Sequence, residues 1–160
     1  SDNSMSEYRP DEGSFNIDGA RVAIAVARWN SQITESLLQG AQRALLRHGI
    51  AKKDVHVFRV PGAFELPLAC SKLAQSGRFD AVIALGCVIR GGTPHFEYVS
   101  GETTRGIGEV ALREGLPIAF GVLTTDTLAQ AQERSGDNAE NKGEEAALTA
   151  LEMISLFRQL

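Results

Sequence analysis

The chain predicts an α/β fold, a three-layer α/β/α sandwich around a four-stranded parallel sheet. Three observations carry this. Short apolar runs alternate along the chain with stretches of helical apolar periodicity. The runs lack the polar alternation of a strand with one wet face, so they read as strands covered on both sides, as parallel sheets require. Strand–helix–strand crossovers are almost always right-handed, which lays helices on both faces of the sheet.

The elements follow in order. Arg21–Ala27, between Asp18-Gly19 and Asn30, is the first strand. Asn30 or Ser31 can cap a helix to about His48, stopped at Gly49. Its stripe is Ile33, Leu37, Ala41, Ala44 and Leu45. Val55–Val60 is the second strand, closed by Pro61-Gly62, and a helix runs from about Phe64 to Gln75, ended by Gly77. Ala81–Cys87 is the third strand. Thr93-Pro94 opens a long helix to Glu114, with proline suited to a position that needs no N–H donor, and Gly115 and Pro117 stop it. Ile118–Leu123 is the fourth strand. Thr127-Leu-Ala-Gln130 has the form of a capping box for a short helix to Arg134. Asn141, three residues before Glu144, caps a last helix with the stripe Ala147, Leu151, Ile154 and Phe157.

One domain over residues 15–160 accounts for this pattern, behind a polar, turn-rich arm over 1–14 that reads as flexible. Within the arm, Met5 reads as the native start and Ser1–Ser4 as added residues. With 43% apolar and 22% charged residues the composition is that of an ordinary water-soluble chain. The net charge of −4 and the lack of a basic block argue against nucleic acid as a partner. No apolar run reaches the length of a membrane span and no signal peptide is visible. Cys70 and Cys87 have neither disulfide-framework nor zinc spacing, so they read as reduced thiols and the expected location is the cytoplasm.

Ligands of parallel α/β folds bind at the carboxyl ends of the strands, so the segments there carry the chemistry. After the third strand, Gly91-Gly92-Thr93 leads into a helix start. It reads either as a turn with a cap or as an anion nest built from the Gly92 and Thr93 amides and the Thr93 hydroxyl. His95 follows in the first helical turn, where an imidazole can accept or relay a proton beside that nest. Trp29, the only tryptophan, follows the first strand and could stack on a flat heterocycle. Glu65 follows the second strand, placed either as a favourable helix-start acid or as an acceptor for ligand hydroxyls. Arg134 suits a helix C-terminus. Lys142 stands at a helix N-terminus, where a cation is mildly unfavourable, a local conflict that points to another role. Gly106-Ile-Gly108-Glu-Val-Ala111 matches the dinucleotide fingerprint only as text, because no strand precedes it. Cys87 has no visible activating base and reads as packing. His48 and His56 receive no function.

Val60-Pro-Gly-Ala-Phe-Glu-Leu-Pro67, Gly86 to Val99, Gly121-Val-Leu-Thr-Thr125 and Asn141-Lys-Gly143, in this order, resemble the lumazine synthases. The resemblance runs from about Gly13 to the C-terminus and implies a flavodoxin-like fold. It implies condensation of 5-amino-6-(D-ribitylamino)uracil with 3,4-dihydroxy-2-butanone 4-phosphate to 6,7-dimethyl-8-ribityllumazine, phosphate and water, the penultimate step of riboflavin biosynthesis. No metal or organic cofactor is implied. Trp29, in place of the family's frequent Phe, would stack on the pyrimidine. Ala63, Phe64, Glu65, Cys87, Val88 and Ile89 would hold its ring and ribityl chain. Gly92 and Thr93 would receive the butanone phosphate, and His95 would transfer protons. Phe120, Arg134 and Lys142 match positions that reach the site from a neighbouring subunit: Phe120 closing over the heterocycle, Arg134 on phosphate, Lys142 on the ribityl side. A homopentamer with sites at subunit interfaces is therefore implied. Asp137–Glu140 departs from the Lys-Ala-Gly-like turn of shell-forming members, so pentamer, decamer and sixty-subunit shell stay open.

Three other readings compete. A flavin-binding module would need a Ser/Thr-rich loop after the first strand, where Arg28-Trp29-Asn30-Ser31 stands. A receiver-type regulator would need acids after the first and third strands, where Ala27-Arg28 and Gly86-Cys87 stand. An assembly protein without catalysis is disfavoured by Trp29, Glu65, His95 and Arg134.

Overall fold

β1 (Val22–Ala27) and β3 (Ala81–Ile89) form the inside of the sheet, and their composition explains it. Every β1 residue is at most 1% exposed, and β3 is buried from Ala81 to Cys87. Strands with no polar side chain to hydrate can be covered on both faces and paired on both edges. The computed structural model, which describes residues 13–92 and 94–160, has one four-stranded sheet in the order β2 (Val55–Val60), β1, β3, β4 (Ile118–Thr125). All three pairings are parallel. This is the leading part of the flavodoxin-like strand order, with its switch point between β1 and β3. The arm expected over 1–14 lies outside the described residues up to position 12, as does Thr93.

Alternate residues serve opposite layers. Val22, Ile24, Val26, Ile83 and Leu85 pack with α1 (Ser31–Arg47) and α5 (Lys142–Phe157). Ala23, Ala25, Val82 and Ala84 pack with α2 (Leu66–Gln75) and α3 (Phe96–Glu114). Each fully buried side chain such as Leu37 or Leu151 contributes about 1.5–3 kcal/mol by leaving water. No helix among the described residues is long and apolar enough to cross a membrane.

Several boundaries differ from expectation, each for a local reason. β3 continues to Ile89 and β4 to Thr125, because Val88 pairs with Thr124 and Ile89 with Thr125 beyond the purely apolar runs. The second helix divides: Ala63–Glu65 is a 3-10 turn and α2 starts at Leu66, with Pro67 in its first turn. α3 starts at Phe96, not at Thr93-Pro94, so His95 is its N-cap residue. Asn30 precedes α1 in a left-handed conformation (φ 64°) and makes no side-chain cap, its amide being used elsewhere. Phe157 is 41% exposed and leaves the stripe of Ala147, Leu151 and Ile154 incomplete at the end of α5.

Other signals are met. The capping box forms, Gln130 N–H donating to Thr127 Oγ1 at 3.2 Å and Thr127 N–H to Gln130 Oε1 at 3.2 Å, ahead of α4 (Leu128–Glu133). Asn141 Oδ1 accepts from Glu144 N–H at 2.9 Å. Gly106 lies inside α3, where a Cβ would come within 2.7 Å of Pro67 Cγ. It is a packing glycine between α2 and α3, not part of a phosphate loop.

Candidate active site

Three loops meet above the carboxyl ends of the strands, and backbone hydrogen bonds stitch them. Arg28 N–H donates to Val60 O at 2.8 Å and Trp29 N–H to Pro61 O at 3.0 Å, tying the loop after β1 to the loop after β2. Asn30 Nδ2 donates to Cys87 O at 2.9 Å, tying the same loop to the end of β3. Its left-handed backbone turns the amide inward at a cost that this bond offsets.

A cavity of about 300 Å³ opens between these loops. Its lining groups by element: Trp29 and Asn30 after β1, Gly62 to Phe64 after β2, Cys87 to Ile89 at the end of β3, and His95, Phe96 and Val99 at the start of α3. Of the residues singled out in sequence, the chain thus brings together Trp29, Ala63, Phe64, Cys87, Val88, Ile89 and His95. Gly86, beneath, lets the 3-10 turn approach the sheet: a Cβ there would lie 3.0 Å from Leu66 Cδ1 and 3.5 Å from Ala63 Cβ. Trp29 is 74% and Phe64 57% exposed, so two aromatic faces stand at the rim without a cover from the other described residues.

Glu65 and Gly92 are not in the lining. Glu65 is half-buried beside the rim: a Cβ on Gly62 would lie 3.5 Å from Glu65 Oε1 and 3.9 Å from Trp29 Cβ. Gly92 is exposed. The neighbouring amide of Gly91 is used, donating to Asp126 O at 3.3 Å, and Gly91 takes φ 48° to make the turn. The Thr93 part of the expected anion nest lies outside the described residues.

Phe120, Arg134 and Lys142 do not line this cavity. Phe120 pairs with Ala84, three positions before Cys87 along β3, or about 10 Å lower on the sheet. It belongs to the edge strand. Lys142 Nζ lies 5.9 Å from the Phe120 ring centroid and 3.3 Å from Glu145 Oε1. The ion pair with Glu145 and the aromatic face are the local compensation for a cation at a helix N-terminus. Arg134, exposed at the end of α4, accepts the Lys142 N–H on its carbonyl at 2.8 Å. Lys142 and Phe120 thus meet at β4, and Arg134 joins this second cluster through its backbone carbonyl.

Asn30, Gly62, Phe96 and Val99 of the lining were not singled out in the sequence as site residues, and neither was Arg90 beside it. Arg90 Nε donates to Asp126 Oδ1 at 2.9 Å and Nη1 to Glu97 Oε1 at 3.0 Å, while its guanidinium lies 4.5 Å from the Phe96 ring centroid. It thereby ties the loop before His95 to the end of β4 and the first turn of α3. Hydrogen bonds to Asp126 and then Glu97 hold its pKa above the ordinary guanidinium value. Glu97, seven residues on, and Asp126, just past the end of β4, carry no sequence mark as its partners.

Burial pushes the Cys87 thiol up to about 11 and the buried Cys70 thiol up to about 12. A thiol that stays protonated at neutral pH is a poor nucleophile, in line with the packing role read from sequence. Cys87→Ala is expected to leave the turnover number within about threefold, measured by steady-state kinetics. A drop of about a hundredfold would instead place the thiol in the reaction.

Among known families, residues 19–158 match the model described as 6,7-dimethyl-8-ribityllumazine synthase.

Proposed function

The chain belongs to the 6,7-dimethyl-8-ribityllumazine synthase family of transferases, and from that premise we propose that it joins 5-amino-6-(D-ribitylamino)uracil to 3,4-dihydroxy-2-butanone 4-phosphate, releasing phosphate and water. The observation that carries this reading is the cavity that gathers Trp29, Phe64, Cys87–Ile89 and His95 at the strand ends. Its apolar walls and exposed indole suit a flat heterocycle. Its imidazole stands where α3 begins, next to the glycine turn that would take the phosphate.

In this reading Trp29 stacks on the pyrimidine. Ala63, Phe64 and Glu65, with Cys87 to Ile89, hold the ring and the ribityl chain. Gly92, Thr93 and Arg134 bind the phosphate. The amine attacks the ketone and loses water to form an imine, phosphate is eliminated, and the ring closes with loss of a second water. His95 moves protons between these steps. Holding two substrates together and offsetting charge on the departing phosphate account for the rest of the acceleration.

A homopentamer completes the site. The separation of the Phe120, Arg134 and Lys142 cluster from the cavity supports this, as do the uncovered faces of Trp29 and Phe64. The cluster of one copy would then form the wall facing the cavity of the next.

The test mixes purified protein with both substrates and follows lumazine absorbance and phosphate release. No acceleration over the spontaneous reaction sinks the proposal. Arg134→Ala is expected to weaken orthophosphate binding about tenfold or more while sedimentation shows the assembly unchanged. Co-assembly of His95→Ala with Arg134→Ala chains then tests the split site. With residues from two copies, about a quarter of the sites in a random mixture are intact and activity returns. Were both residues drawn from one copy, mixing would restore nothing.

A further inference from the structure

We propose that Asn141 is a positioning residue that presents Arg134 and Lys142 as one preset pair of cations. The proposal rests on the reading above, in which those two side chains serve the ligands. Asn141 is 1% exposed, among the largest fully buried side chains of the chain, and it is polar. Its Oδ1 caps α5 through the Glu144 N–H at 2.9 Å. Its Nδ2 donates to Ser135 O and to Gly136 O, both at 2.9 Å, with Ser36 O of α1 at 3.5 Å. Its backbone N–H donates to Asn138 O at 3.2 Å. The loop over 135–141 is therefore folded around this buried carboxamide, while the exposed Asn138 amide adds bonds to Glu133 O (3.3 Å) and from Glu140 N–H (2.7 Å). The loop ends are closed by Lys142 N–H on Arg134 O at 2.8 Å, which sets the two cation-bearing residues side by side.

Capping alone does not explain the residue. Ser, Thr or Asp would cap α5 as well. Only a carboxamide also donates two hydrogen bonds from the same buried side chain. A carboxylate would aim its charge at the Ser135 and Gly136 carbonyl oxygens. The opposite wall is equally specific. A Cβ on Gly40 of α1 would overlap Asn141 Oδ1 and lie 2.6 Å from its Cγ and 2.8 Å from its Nδ2, so the amide is clamped between α1 and the loop. Pairs Arg43–Asp137 (3.4 Å) and Arg47–Glu144 (3.1 Å) join the loop and the first turn of α5 to α1. Being solvent-accessible, they hold these segments weakly compared with the buried amide.

Asn141→Asp separates the two tasks, keeping the cap acceptor and removing the donors. Gly40→Ala disturbs the amide from the other side without replacing any residue of the loop. In the full chain, well below each variant's melting temperature, both are expected to raise the dissociation constant of orthophosphate and the KM of the butanone phosphate about tenfold or more. The turnover number at saturation should change less than KM. Should Asn141→Asp fail to fold, the Gly40→Ala measurement decides alone. Phosphate affinity unchanged in the folded variants, with Arg134→Ala weakening it, overturns the positioning role and leaves the site reading standing. Phosphate affinity unchanged in Arg134→Ala overturns both.

Discussion

Replacing His95 with alanine is expected to lower the turnover number about a hundredfold and to change the dissociation constant of a ribityl-pyrimidine analogue within about threefold. The asymmetry follows from where the imidazole stands. His95 is exposed at the N-cap of α3 and makes no side-chain cap, so its ring is not what terminates the helix. Beside His95, Phe96 and Val99, most of the cavity lining comes from other elements: Ala63 and Phe64 after β2, Cys87 to Ile89 on β3, and Trp29 after β1. Arg90, through Asp126 and Glu97, still ties the loop in the variant. Steady-state kinetics beside equilibrium titration separates the two quantities. An unchanged rate would remove His95 from the mechanism, and an equal loss of rate and affinity would make it a binding residue.

The largest effect on stability is expected from Gly143→Ala. A Cβ at Gly143 would overlap the carbonyl oxygen of Leu37 and lie 2.7 Å from its carbonyl carbon, all backbone of α1. An alanine methyl has no rotamer that relieves a clash with backbone. The helices must separate, at about 3 kcal/mol, read as a melting temperature lower by about 6–12 °C. Gly108→Ala in α3 is the matched control. Among the described residues nothing would lie within 4 Å of an added Cβ, so a gain of up to about 1 kcal/mol from helix propensity is expected. A Gly143→Ala protein as stable as the parent would mean that α1 and α5 can slide apart without loss. The α1–α5 contact would then not be the rigid base on which the Arg134–Lys142 loop is set.

The layers were legible in the chain because burial leaves a simple mark. Val22 to Ala27 and Ala81 to Cys87 have no polar residue, and only a two-sided strand tolerates that. Capping chemistry was legible too: Thr127 with Gln130 and Asn141 with Glu144 act as their spacing implies. Boundaries near the site were less so. Asn30 carries the residue type of a helix cap, yet its amide reaches Cys87 O, a partner 57 positions away that no local rule can weigh against capping. Pro94 is a good first helical residue, yet the Gly91-Gly92 turn and its tie to Asp126 delay the helix to Phe96.

The sequence by itself determined the α/β class, the order of the elements and the residues offered at three strand ends, because these depend on periodicity and on chemistry within a few positions. Only the tertiary structure decided how they group. It drew Trp29, Ala63, Phe64, Cys87–Ile89 and His95 around one cavity, placed Phe120 and Lys142 beside the edge strand, and made Arg90 and Asn141 the pins of the two loops. The physical reason is that a hydrogen bond between distant residues forms only when the packing of two layers brings donor and acceptor within reach. Nothing in the neighbourhood of either residue encodes that distance.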